Sequence, residues 1–186
     1  MGKLADLLLT EEEQNPKPEG KIFCDMDGVL TDFDERFEHY FGIAPDAYEK
    51  KHGTAGFWDA IRPLGVGFWA GMQWTPNGEQ LWNFIKHFEP TLLTSPSRED
   101  ESRIGKSVWV KNHLSPKPKV MFKFSKYKQE ALTSPNDILI DDREDNIQRW
   151  RDAGGIGILH PKNGDPSGVI ERLKKLGYGK SSEEGI

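Results

Sequence analysis

The sequence has a single cysteine, Cys24, among 186 residues. An intrachain disulfide framework is therefore excluded, and a reducing, cytoplasmic setting fits best. Long hydrophobic runs are missing as well. The richest stretch, Leu4-Ala5-Asp6-Leu7-Leu8-Leu9, is interrupted by Asp6 and followed by Glu11-Glu12-Glu13. A secretory leader needs ~7–15 uninterrupted apolar residues and a spanning helix ~20, so neither a leader nor a membrane segment is expected. There is no basic excess: 25 Lys and Arg stand against 30 Asp and Glu, a net charge of -5. Such a chain lacks the broad positive footprint of non-specific nucleic-acid binding, which leaves only a local basic groove for that role. Aliphatic surface is sparse, since hydrophobic residues of every kind make up 35% of the chain.

What the chain does have is aromatic surface, at 11% of residues with six tryptophans. Its length suits one domain of the usual ~100–200 residues, long enough to bury a core without disulfides. Short apolar runs at Lys21-Ile22-Phe23-Cys24, Thr91-Leu92-Leu93-Thr94, Asp137-Ile138-Leu139-Ile140 and Gly155-Ile156-Gly157-Ile158-Leu159 read as buried strands. Lys119-Val120-Met121-Phe122 is a weaker fifth. Between them, apolar residues at three- and four-residue spacing predict helices near 77–88, 99–114, 125–133, 144–152 and 166–176. Strands alternating with helices argue for an α/β domain, a Rossmann-like, doubly wound parallel sheet with right-handed crossovers.

Residues 33–74 break that rhythm with short helical pieces, Gly-rich joints and a density of aromatics. They are expected to form a small inserted α-helical cap, because some 40 residues rarely sustain a core alone. The expected organisation is a tail over 1–18, a core over 19–32 and 75–178, the cap over 33–74, and a polar tail over 179–186.

The chemistry-bearing residues fall at predicted strand ends, where ligands bind in such sheets. Asp25-Met26-Asp27-Gly28 follows the first strand, Thr94 and Ser95 end the second run, and Asp141-Asp142 end the run at 137–140. Desolvating unpaired carboxylates costs several kcal/mol each, so the arrangement makes sense if a divalent cation joins them. Oxygen ligands suit Mg²⁺, which takes one or two protein carboxylates and keeps other positions for water and phosphate. The bland alternative, an Asx turn and a helix N-cap pair, explains each motif separately but not their convergence.

Asp25-Met26-Asp27-Gly28-Val29-Leu30, Leu92-Leu93-Thr94-Ser95-Pro96, a following lysine and Leu139-Ile140-Asp141-Asp142-Arg143 resemble the four ordered motifs of the haloacid dehalogenase-like (HAD) phosphohydrolases. More narrowly, they are similar to the 5'(3')-deoxyribonucleotidases, over about residues 20–160. The resemblance implies a HAD-like core, Mg²⁺ as cofactor, and a phosphatase acting through an aspartyl-phosphate on nucleoside monophosphates. It makes Asp25 the nucleophile and a metal ligand, and Asp27 the acid–base that also binds the ion through its carbonyl. Gly28, Thr94 and Ser95 would hold phosphate, Asp142 the metal directly, and Asp141 would be a nearby second carboxylate. Asp145 or Asn146 could orient metal waters. Of the candidate lysines at 123, 126 and 128, Lys126 is expected to neutralise the phosphoryl oxygens, because Ser125 could cap a helix there.

Within the insert, Phe57, Trp58, Phe68, Trp69 and Trp74 could stack on a base or form the cap's own core. Phe68 and Trp69, flanked by glycines, are the expected base contacts, with Arg62 as a polar alternative. Cys24 reads as a packing residue, and the five histidines, without metal-ligand spacing, as surface or capping groups. The lysines at 117, 119, 123, 126 and 128 form a basic run that reads first as a solvated, phosphate-steering rim. It is the only support for the alternatives, another small phosphoester or a nucleic-acid 3'-phosphate end. A catalytically silent binding protein of the same fold is disfavoured by the complete carboxylate set.

Overall fold

A computed structural model describes residues 18–179. Apart from Pro18 and Gly179, the tails expected over 1–18 and 179–186 lie outside the described residues. The chain runs β1 (Ile22–Cys24), β2 (Thr31–Asp32), α1 (Phe33–Phe41), α2 (Pro45–Ile61), α3 (Gly65–Ala70) and β3 (Gln73–Trp74). It continues through α4 (Gly78–Ile85), β4 (Thr91–Thr94), α5 (Asp100–His113), β5 (Lys119–Phe122) and a 3₁₀ segment at Ser125–Ala131. β6 (Ile138–Asp141), α6 (Glu144–Asp152), β7 (Ile156–Leu159) and α7 (Ser167–Lys175) complete it. No helix of the described residues is long and apolar enough to cross a membrane.

The five apolar runs form one parallel sheet in the order β5-β4-β1-β6-β7. β1 is central: Cys24 lies opposite Leu92 of β4 on one side and Ile140 of β6 on the other. The chain winds outward from β1 to β4 and β5, then crosses back to β6, so the winding reverses beside β1. Ligands bind beyond the carboxyl ends of strands at such a reversal. Strand alternation sorts the core. Ile22, Cys24, Leu92 and Ile140 pack with α4, α5 and α7, whereas Phe23, Leu93 and Leu139 face Ala131 and the α6 residues Ile147 and Trp150.

β2 and β3 pair antiparallel, Thr31 opposite Trp74, and everything between them is helical or looped. This two-residue ribbon has no signature in the sequence, because alternation needs longer strands. Asp32 caps α1, its Oδ1 accepting from Glu35 N at 3.0 Å, and Gly42 ends the helix at φ 69. α2 is broken by Gly53, whose φ of 73 is unsuited to a side chain. Aromatic rings fill the insert: Phe37 stacks on Phe57 at 4.9 Å and Phe33 meets Phe68 edge-on at 5.6 Å. The insert is anchored where α3 crosses α5 at Gly105. A Cβ there would lie 2.5 Å from Trp69 Cβ and 2.7 Å from the Val66 carbonyl, so only glycine allows this approach. Trp109 Nε1 donates to the Met72 carbonyl at 2.9 Å beside it.

Two expectations need correction. The helix expected at 125–133 is a 3₁₀ segment over Ser125–Ala131. Among the histidines, His160 is neither surface nor cap: it is 1% exposed, with no partner on either ring nitrogen, and burial pulls its pKa down toward the neutral form.

Candidate active site

Asp25 stands one residue past β1 and extends its ladder, its amide donating to the Ile140 carbonyl at 2.9 Å. Its Oδ1 accepts from Met26 N at 2.8 Å and from Lys128 Nζ at 2.9 Å. The chain then folds tightly, with the amides of Val29, Leu30 and Thr31 all donating to the Met26 carbonyl. Gly28 is required there twice over: its φ is 79, and a Cβ would lie 2.3 Å from Asp142 Oδ2. This turn gives Asp27 a surrounding different from that of Asp25. Its Oδ1 accepts from Thr31 Oγ1 at 2.9 Å and its Oδ2 pairs with Lys106 Nζ at 2.6 Å.

Each aspartate therefore has its own buried lysine. Lys128 divides its ammonium between Asp25 and Asp141 Oδ2, the latter at 2.7 Å. Lys106, fully buried on α5, donates to Asp27, to Thr94 Oγ1 at 2.9 Å and to the Ser95 carbonyl at 2.7 Å. Its three donors are all used. The lysine that reaches Asp25 is thus Lys128, not the expected Lys126. With ~3 residues per turn, the 3₁₀ segment turns Ser125 and Lys128 inward together. Lys126 is exposed, its ammonium 4.8 Å from the Tyr127 ring centre.

Asp141, at the end of β6, is fully buried and saturated. It accepts from Lys128, from the Arg143 amide at 2.9 Å and from Asn146 Nδ2 on both oxygens at 3.0 Å. Asn146 is fixed in turn by Ser125 Oγ at 2.6 Å. Asp142 lines the pocket and no side chain of the described residues donates to it. Burial pushes the Asp25 carboxyl up to about 8; Lys128 opposes the shift and Asp141, Asp142 and Asp27 add to it. Burial, then Asp141, pushes Asp142 up to about 6. Burial works against the Lys128 charge, but Asp25 and Asp141 outweigh it and raise its pKa. Two carboxylates share that ammonium, so the charged Lys128 is the firmer assignment of the pair.

The structure brings Asp25, Asp27, Gly28, Ser95, Trp69 and Asp142 to the wall of one cavity of about 370 Å³. Thr94 lies beneath it, fully buried, its hydroxyl held by Lys106, while Ser95 Oγ donates to the Lys123 carbonyl at 3.1 Å. Phe68, expected at a base, does not reach the cavity; it is fully buried in the aromatic core of the insert. Phe33, Trp58 and Phe124 stand there instead, with Trp69. Sequence reasoning also missed Lys106. A signal existed: it shares the buried stripe of α5 with Ser102, Gly105, Trp109 and Val110, a poor place for a solvated lysine.

Carboxylate oxygens of Asp25, Asp141 and Asp142 all lie within 4.8 Å of one another, a spacing that one metal ion could bridge. Asp27 is outside this group, engaged by Lys106 and Thr31. With all four ionised, Lys106 and Lys128 cancel two of four negative charges and leave a deficit of two. An all-oxygen donor set with that deficit fits a hard divalent cation.

No protein-family model and no curated protein matches the chain in sequence. Solved structures match it in fold. A phosphonoacetaldehyde hydrolase-like protein from Oleispira antarctica gives a TM-score of 0.51 at 12% identity, over 86% of this chain and 82% of that one. A HAD-family enzyme from Bacteroides thetaiotaomicron, solved as an aspartate-to-alanine mutant with magnesium and inorganic phosphate, gives 0.50 at 18% identity, over 81% of this chain and 98% of that one. The fold is therefore HAD-like: a parallel α/β sheet with a helical insertion after its first strand.

Proposed function

We propose that the chain is a Mg²⁺-dependent phosphomonoesterase that works through an aspartyl-phosphate on Asp25, with nucleoside monophosphates as its substrate class. The observation that carries this reading is the division of Asp25 and Asp27 between two buried lysines, around a double negative deficit in one pocket. An Asp25 oxygen attacks phosphorus in line, forming the Oδ–P bond as the P–O bond to the leaving group breaks. Asp27 enters this step as the carboxylic acid and gives that proton to the leaving alkoxide. It then takes one from the water that attacks phosphorus and restores Asp25. Lys106 and Thr31 hold Asp27 at one position for both steps. Lys128 orients Asp25 and lends charge to the phosphoryl oxygens, while Asp141 and Asn146 keep Lys128 in place.

Asp25 and Asp142 have the open oxygens to hold Mg²⁺, since those of Asp141 are taken. When bound, the ion supplies the missing positive charge between carboxylates and phosphate. The resemblance of the motifs, and a fold shared with an enzyme solved with magnesium and phosphate, support the same choice. Trp58, Trp69, Phe33 and Phe124 support a nucleoside, because a base can stack on such rings for ~1–3 kcal/mol. The test is p-nitrophenyl phosphate turnover with and without Mg²⁺, with Asp25→Asn as control. Metal-dependent turnover that the variant lacks is expected; its absence in the wild type, or its survival in the variant, overturns the reading. A panel of nucleoside 5'- and 3'-monophosphates against other small phosphoesters then checks the substrate class.

A further inference from the structure

The catalytic pocket continues into a second cavity of about 500 Å³, and the two share Trp58, Pro96, Ser97 and Phe124 as common walls. Its charges balance: Arg62 bonds Glu99 at 2.9 Å and Asp59 at 2.8 Å, and with Arg98 on the same wall two cations face two carboxylates. A cavity with aromatic walls, hydrogen-bonding edges and no net charge suits a second base better than a second phosphate. Phe124 stands at the neck between the cavities and is 44% exposed. Three residues on, one 3₁₀ turn later, Tyr127 is 42% exposed. The turn that sends Ser125 and Lys128 inward thus sets Phe124 and Tyr127 together on the outer side, with the Lys126 ammonium over Tyr127. On this outer side the rings of Phe124 and Tyr127 adjoin the Lys126 ammonium, the pairing that tracks a single strand by stacking and charge, while Lys128 stays in the site and Lys123 pairs with Glu130 at 3.1 Å. A nucleoside monophosphate would use the first cavity and leave the second cavity and this ladder idle.

We propose that the site takes the phosphorylated terminus of a single-stranded oligonucleotide. The terminal phosphate sits at Asp25, the second base enters the second cavity past Phe124, and the strand leaves over Tyr127 and Lys126. This rests on the phosphomonoesterase reading of the same pocket and extends it from a mononucleotide to a strand end.

The test compares kcat/KM for thymidine monophosphate with that for di- and tetrathymidylate carrying the same terminal phosphate, at the 5' and then the 3' end. A rise of about tenfold or more from one nucleotide to two is expected, shrinking as salt is added. Phe124→Ala and Tyr127→Ala, both at exposed positions, should each lower turnover of the dinucleotide by a larger factor than turnover of p-nitrophenyl phosphate. Equal or lower kcat/KM for the dinucleotide overturns the proposal, as does an equal loss on both substrates. Fluorescence anisotropy of a labelled phosphorylated tetranucleotide reads the track without turnover. Binding that the two variants weaken, in a protein that fails to hydrolyse p-nitrophenyl phosphate, would sink the enzymatic reading and leave the track standing.

Discussion

Asp25 and Asp27 are chemically identical side chains two residues apart, and their neighbours separate them. Asp25 shares Lys128 with Asp141 in a nearly closed site; Asp27 meets Lys106 and a threonine hydroxyl with part of its carboxylate exposed. Removing Lys128 should therefore do two things at once. Lys128→Met is expected to cut kcat on p-nitrophenyl phosphate by roughly 10²–10³-fold, as the loss of one charged donor at a transition state does. It should also destabilise the fold by about 3–5 kcal/mol in urea titration, because the buried Asp141 carboxylate loses its counter-charge and Asp25 a donor. Retention of more than a tenth of wild-type turnover would remove Lys128 from the chemistry. A second prediction follows from Asp25, whose carboxyl is raised to about 8 from an ordinary 3.8. In the metal-free protein the folded state keeps a proton that the unfolded chain releases above about pH 4, so stability falls as pH rises toward 8 and levels off beyond it. Mg²⁺ needs the ionised carboxylates, so its stabilising effect should grow over the same range. Melting temperatures with and without Mg²⁺, at about pH 5.5 and about pH 8, check this; an increment no larger at the higher pH would contradict it.

Among the elements, the 3₁₀ segment and α5 matter most, because each carries a lysine into the site. An α-helical reading of 125–133 favours Lys126, whereas three residues per turn favours Lys128, and the difference lies wholly in the winding of seven residues. α5 does double service: Lys106 points to Asp27 and Thr94, and one residue earlier Gly105 lets α3 approach. Gly105→Val should push α3 away, costing about 1–3 kcal/mol by overpacking. Because Trp69 lies on α3 and lines the pocket, the same variant should raise KM for a nucleotide more than KM for p-nitrophenyl phosphate. An unchanged melting temperature would show that the contact is softer than the geometry implies.

Across the whole molecule, the question is how the insert sits on the core. The ion pairs Arg62–Glu99 and Lys162–Asp34 join the two parts but are partly exposed, and such pairs are worth about 0–1 kcal/mol. The anchor is the buried crossing of α3 on α5, with Trp109 bonded to the Met72 carbonyl. The amides at the end of α3, such as that of Gly71, which donates to Gly67 O, should therefore exchange hydrogen within about tenfold of the α5 amides. Much faster exchange at Gly71 would mean that the insert opens as a separate unit.

How much of this was legible follows the range of the interactions. Sequence alone determined the order of the five sheet strands, the strand ends that carry Asp25, Thr94 and Asp141, and the aromatic break in the α/β rhythm, because these depend on local period and punctuation. It placed Trp69 near the chemistry and misplaced Phe68, since two adjacent aromatics flanked by glycines carry no local mark of which one faces a cavity. Only the tertiary structure decided that Lys128 and Lys106 are the lysines bonded to Asp25 and Asp27. Lys106 reaches Asp27 across 79 residues of chain, and Lys128 reaches Asp25 only because its segment winds as 3₁₀. The pairing of a buried charge is settled by what packs against it, and no periodicity along the chain encodes that partner.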